Sequence, residues 1–89
     1  MTISSKNILF DKRAGEDFEY WIKTNPKIVN KIVTLIENIR KTPFSGIGKP
    51  EQLKYHYTGC WSRRINQEHR LVYQIKGGII KILACRYHY

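Results

Sequence analysis

The sequence predicts an α+β fold in which two N-terminal helices pack on a mostly antiparallel sheet of about five strands, in the order β-α-α-β-β-β-β. Three observations predict it. A brief apolar run opens the chain, apolar residues then recur at helical spacing, and the second half breaks into short strand-like runs separated by turn residues. With 89 residues there is room for one small domain, 1–89, and no second core.

Each element has a local reason. Ile8-Leu9-Phe10 is a short apolar run whose position before a helix suits an edge strand. Between Ala14 and Trp21 a helix is expected, because Ala14, Phe18, Trp21 and Ile22 fall on one helical face. Glu16, Asp17 and Glu19 lie towards its N-terminal end, where the dipole favours acids. Asn25-Pro26 reads as an N-cap followed by proline at the first helical position. Ile28, Val29, Ile32, Val33, Leu35, Ile36 and Ile39 form the apolar stripe of that second helix. Arg40 and Lys41 suit its C-terminal end, and Pro43 stops it.

Thr42 to Pro50 is rich in breakers and reads as a connector, since its Gly48-Lys49 pair lacks the spacing of a phosphate-binding loop. Four strand-like runs come next: Gln52 to His56, Trp61 to Ile65, Arg70 to Ile75 and Ile79 to Tyr87. Thr58-Gly59, Asn66-Gln67 and Gly77-Gly78 separate them at hairpin distances, so an antiparallel meander is expected.

Composition narrows the function. Hydrophobic residues at 42% and charged residues at 26% belong to a folded chain rather than a disordered one. Sixteen Lys and Arg against 7 Asp and Glu give a net charge of +9, an excess that points to a polyanionic partner such as RNA or the ribosome. Up to Phe44 there are 8 basic and 5 acidic residues, and after it 8 and 2, so the second half carries +6 of the charge. Cys60 and Cys85 match neither a zinc nor a redox spacing and are expected to be reduced packing residues. With no signal-peptide core and no membrane-length apolar stretch, a cytoplasmic protein with no membrane contact is expected. The three histidines lack clustered carboxylates, which argues against a metal site, and no cofactor is expected.

RNA can be cut by side chains alone if a base takes the 2′-hydroxyl proton, cations hold the charge growing on phosphate, and an acid protonates the leaving 5′-oxygen. Glu51 is one of two acids after Phe44 and lies among Lys49, Lys54 and the strand arginines. By position alone, a surface ion pair with a neighbouring lysine is the better explanation. Arg70 opens a strand, and its fork of donors suits a phosphate. Lys49, Arg63, Arg64 and Arg86 are read mainly as RNA-binding residues. The ending Tyr87-His88-Tyr89 sets a histidine beside the chain's last carboxylate, which would favour imidazolium near neutral pH; aromatic packing is the competing reading. His56 and His69 are weaker candidates. Tyr55, Tyr57 and Trp61 could stack on unpaired bases, although strand aromatics more often serve the core.

Five segments taken together resemble the Txe/YoeB family of toxins, within the RelE/ParE superfamily. They are Lys41-Thr42-Pro43-Phe44, Gly48-Lys49-Pro50-Glu51, Trp61-Ser62-Arg63-Arg64-Ile65, His69-Arg70-Leu71-Val72-Tyr73 and Ala84-Cys85-Arg86-Tyr87-His88-Tyr89. The resemblance runs from near Ile8 to the last residue. It implies a microbial-ribonuclease-like fold and a toxin that cleaves mRNA in the ribosomal A site without a metal, by attack of the ribose 2′-oxygen. Motif position then makes Glu51 the general base and His88 the general acid, with Arg70, Lys54 and Tyr89 steadying the phosphate. An acidic cognate antitoxin is implied as partner, and self-association into a homodimer is left open. Departures from the family pattern are Gln52, Cys60, the Tyr55-His56-Tyr57 stretch and a slightly longer N-terminus. Two rival functions share the scaffold: a ParE-like toxin that inhibits a topoisomerase by binding, and a non-catalytic RNA-binding module.

Overall fold

The computed structural model describes residues 7–87. Along the chain run β1 (Ile8–Phe10), α1 (Lys12–Thr24), α2 (Pro26–Lys41), β2 (Glu51–Gln52), a 3₁₀ turn (Tyr55–Tyr57), β3 (Trp61–Arg64), β4 (Arg70–Lys76) and β5 (Ile79–Ala84). The sheet order is β1-β5-β4-β3-β2. Strands β2 to β5 form the expected antiparallel meander, and β1 pairs parallel to β5 at the edge. The expected α+β order holds.

Capping fixes the helices. Asp11 caps α1 by accepting from the Ala14 N–H at 2.9 Å, so the helix starts at Lys12, two residues earlier than the apolar pattern alone suggests. Asn25 caps α2, with Pro26 at its first position. Two details of α1 differ from the sequence reading. Ile22 points into solvent, and the buried face takes Asp17 instead, beside Ala14 and Trp21. Asp17 is buried because it has a partner: its Oδ2 accepts the Cys85 N–H at 3.0 Å.

The main core lies between the helices and one face of the sheet. Ile32, Leu35, Ile36 and Ile39 of α2 meet Leu71, Tyr73, Ile80 and Ile82, with Ala14 and Trp21 of α1 at one end. A smaller cluster of Leu53, Cys60, Val72 and Ala84 sits on the opposite face. Ala84 reaches that face because the β4–β5 register slips: Val72 pairs with Ala84 and Tyr73 with Ile82, leaving Leu83 as the extra residue. Such a bulge inverts the alternation beyond it and re-aims the next side chains. Cys85 is thereby turned towards α1, and its Sγ lies 3.7 Å from the Ala14 carbonyl.

Two of the four expected strands are shorter than their patterns by several residues, and a third, β3, ends one residue early at Arg64. The run Gln52 to His56 pairs only at Glu51–Gln52, and Tyr55–Tyr57 coils into the 3₁₀ turn. The run to Tyr87 stops pairing at Ala84, where the chain leaves the sheet for contacts with α1 and β4. The tightest hairpin, Gly77-Gly78, has φ of 58° and 79°, which suits glycine at both places.

Arg63 corrects the sequence reading outright. The charge pattern assigns it to RNA, yet it is fully buried. Its pairing with Leu71 puts it on the helix-facing side of β3. From there it holds the 42–50 connector: Nη2 donates to the carbonyls of Thr42 and Ser45 at 2.6 and 2.8 Å, and Nη1 donates to that of Ile47 at 3.1 Å. Nη1 also donates to Asn38 Oδ1, and Nε donates to the Tyr73 hydroxyl at 3.2 Å. All five guanidinium N–H groups thus find acceptors. Gly48 seals the same loop at φ +80°, where an added Cβ would come within 2.8 Å of Leu35 and 3.1 Å of Arg63.

Candidate functional site

Cross-strand partners share a face of a sheet. Glu51 pairs with Ser62, Ser62 with Val72, and Arg64 with Arg70, so these residues line the face turned away from the helices. The web around Arg63 delivers the connector to the start of β2 and so puts Glu51 at the end of that face. There the Glu51 carboxylate is 61% exposed, and its Oε1 lies 3.5 Å from Nη1 of Arg70, a side chain that is only 19% exposed. Arg70 also donates from Nη1 to Ser62 Oγ at 3.5 Å. A mostly buried cation therefore holds a mostly open carboxylate, which leaves the acid able to meet a ligand.

Lys54 stands two residues after β2 and caps the 3₁₀ turn. With Glu51, Gln52, Leu53, Tyr55, His56 and Tyr57 it lines an open groove of about 440 Å³. Lys49 and Arg64 are exposed on the connector and on β3. Lys49 adopts φ of 50°. Arg86 is half-buried, and its guanidinium lies 3.6 Å above the Tyr20 ring and 5.0 Å from that of Tyr87, so its planar face is used in packing. His88 and Tyr89 lie outside the described residues.

The chain leading to them is described, and its backbone is tied down at Cys85 and Tyr87. The Cys85 N–H is held by Asp17, and the Cys85 carbonyl accepts from Trp21 Nε1 at 2.8 Å. The Tyr87 N–H donates to His69 Nδ1 at 2.7 Å, and the Tyr87 carbonyl accepts the Arg70 N–H at 3.0 Å. His69 is buried, edge-on to Trp21 at 4.7 Å and tilted against Tyr87 at 4.9 Å. Tyr87 itself adopts φ of 60°, a left-handed turn that bends the backbone just before His88.

His69 is the residue that sequence reasoning undervalued. Because Nδ1 accepts a hydrogen bond, the ring carries its proton on Nε2, the tautomer that can hold the Tyr87 N–H. The only sequence signal is its place beside Arg70. Burial against Trp21 depends on residues 48 positions apart in the chain, which no local pattern reveals.

Both cysteines are free and buried. Burial, reinforced by the Asp17 carboxylate, pushes the Cys85 thiol up to about 12, and burial also raises Cys60. Neither is suited to act as a nucleophile. Among the described residues no cluster of three His, Cys, Asp or Glu side chains could hold a metal ion, and no helix is long and apolar enough to cross a membrane.

Comparison with known proteins places this arrangement. Residues 10–89 match the family model described as YoeB-like toxin of bacterial type II toxin–antitoxin system. A toxin YoeB of Escherichia coli K12 is 49% identical over 82 residues, covering 92% of this chain and 98% of the relative. Among solved structures, a YoeB/ParE toxin from Agrobacterium tumefaciens superposes with a TM-score of 0.91 at 42% identity, covering 93% of this chain and 99% of that one. The YoeB–YefM toxin–antitoxin complex from Staphylococcus aureus, a heterotetramer, matches with a TM-score of 0.87 at 49% identity over 94% of this chain and 98% of that one. The same organism's YoeB has also been solved as a dimer. A near full-length match in sequence and in fold means that this chain belongs to the YoeB-like family of bacterial type II toxins.

Proposed function

We propose that this toxin is a ribosome-dependent endoribonuclease that cleaves mRNA in the ribosomal A site and so stops translation. The observation that carries the reading is the double attachment of Arg70. Its side chain reaches Glu51 at 3.5 Å, and its backbone N–H holds the carbonyl of Tyr87, the residue before His88, at 3.0 Å. One residue thus links the candidate base to the chain segment that carries the candidate acid.

In the proposed reaction Glu51 takes the proton from a ribose 2′-hydroxyl, and the 2′-oxygen attacks the adjacent phosphorus. The bond to the 5′-oxygen breaks, and His88 gives its proton to that leaving oxygen. The products are a 2′,3′-cyclic phosphate and a free 5′-hydroxyl, so every atom is accounted for without water or a metal. Arg70 and Lys54 face the charge that builds on the phosphate, with Tyr89 assisting. Lys49 and Arg64 supply backbone attraction, in line with the +6 charge of the second half. Arg86 adds to that field from its packed position.

The same charge supports an acidic cognate antitoxin as the neutralising partner, and the S. aureus relative has been solved in complex with its antitoxin YefM. Self-association is proposed by analogy with the S. aureus dimer. Primer-extension mapping of mRNA ends after brief expression tests the proposal. Cuts tied to the reading frame of translated messages are expected. Intact messages, or cuts that ignore translation, would count against it.

A further inference from the structure

Tyr55 is difficult to explain by folding. The residue is 88% exposed, so it buries little apolar surface, and its φ of 60° holds a side-chain-bearing residue in the left-handed region that glycine prefers. Folding therefore bears a backbone cost here without a packing return. Its surroundings are nevertheless fixed. Buried Leu53 and Cys60 close the base of the turn through the Leu53 N–H and the Cys60 carbonyl at 2.9 Å. Within it, the Tyr57 N–H donates to the Lys54 carbonyl, and the Thr58 N–H and hydroxyl both donate to the Tyr55 carbonyl, at 3.1 and 2.7 Å. A rigid loop thus presents an aromatic ring to solvent.

What the ring faces is informative. Tyr55 lines the same open groove as Glu51 and Lys54. A flat apolar surface beside a lysine matches a ligand that has a flat aromatic group on an anionic backbone, and the charge of the second half selects the same class. We infer that Tyr55 is a stacking platform for an unpaired nucleobase flanking the scissile phosphodiester, with Lys54 on that nucleotide's phosphate. The inference deepens the ribonuclease reading and rests on it for the position of the cut.

The test uses the full-length toxin and ribosomes programmed with mRNA that carries 2-aminopurine at one position on either side of the cut. Stacking on a tyrosine quenches that base. With the Glu51→Gln protein, which is expected to cut slowly, quenching is expected at one flanking position before the message is cleaved. It should be lost in the Tyr55→Ala, Glu51→Gln double variant and kept with Phe or Trp at 55. In the cleaving protein, Tyr55→Ala should raise the half-saturating concentration roughly 5- to 150-fold, the range expected for loss of one base–aromatic stack, while Phe and Trp preserve it. Tyr55→Gly separates folding from binding: it relieves the backbone strain, so it should melt no lower than the wild type and still bind as weakly as the alanine variant. Quenching that survives in the alanine variant, or its absence at every position in the parent, overturns the inference. If the wild type cuts nothing, the ribonuclease reading fails by itself, and the quenching result still decides whether the platform exists.

Discussion

Replacing Arg63 should unfasten the loop that delivers Glu51. The side chain is fully buried and spends five N–H groups on Asn38, Thr42, Ser45, Ile47 and Tyr73, all neutral acceptors. Arg63→Ala deprives three connector carbonyls of their donor and opens a cavity as large as the lost side chain. Part-buried acceptors left without their donor cost about 1–3 kcal/mol each, so the three connector carbonyls together lose about 3 kcal/mol or more. A chain of this length is stable by roughly 4–13 kcal/mol in total, so the variant forfeits a large share of its stability. At about 4 °C per kcal/mol or more for so small a domain, its Tm should fall by at least about 12 °C. Arg63→Lys keeps the charge but offers three donors on a point-like ammonium, and an intermediate loss of about 1–3 kcal/mol is expected. Urea denaturation followed by tryptophan fluorescence measures both, with Trp61 beside the loop and Trp21 in the core as reporters. An RNA-contacting arginine would behave differently: unchanged stability, with a shallower salt dependence of binding. An alanine variant within about 1 kcal/mol of wild type would refute the view that Arg63 is a structural fastener.

The remaining predictions concern the site and its anchor. Glu51→Gln should slow single-turnover cleavage on programmed ribosomes without weakening ribosome binding, and an unchanged rate would reassign the base. His88→Ala, or a tag fused after Tyr89, should abolish cutting and growth arrest while thermal melting stays at the wild-type value; full cleavage by either would remove the acid assignment. His69→Phe keeps a ring between Trp21 and Tyr87 but leaves the Tyr87 N–H without an acceptor, so it should lower the cleavage rate roughly 5- to 150-fold for a loss of about 1–3 kcal/mol. His69→Asn, which restores an acceptor oxygen, should recover part of that rate, and equal rates in all three proteins would show that the anchor does not position the end of the chain. Cys85 gives a pH prediction. Its folded value of about 12 stands above the ordinary 9.0, so the unfolded chain loses this proton first. The stability it contributes is complete below pH 9 and is lost as the pH rises from there towards 12. Urea midpoints at pH 8 and 10.5 should therefore differ more in the wild type than in Cys85→Ala, and equal differences would deny that Cys85 is the cause.

Much of this protein was legible in the chain itself, because the signals are local. Asn25-Pro26 set the start of α2, paired glycines set the β4–β5 hairpin, and alternating residues marked the central strands, each through backbone sterics or periodicity that acts within a few residues. The motifs around Glu51, Arg70 and the chain end identified the family for the same reason. What tertiary structure alone decided is which polar side chains turn inward. Arg63 and Arg64 are neighbours of identical chemistry, yet the pleat sends the first to a web of carbonyls contributed by residues 42–47 and the second to solvent. Asp17 and His69 are buried because Cys85 and Tyr87 come to them from 68 and 18 residues away, and a one-residue bulge at Leu83 sets that approach. A sequence pattern records each residue's preference for water. Whether a charge or an imidazole stays buried depends on partners that only the folded chain brings within hydrogen-bonding distance.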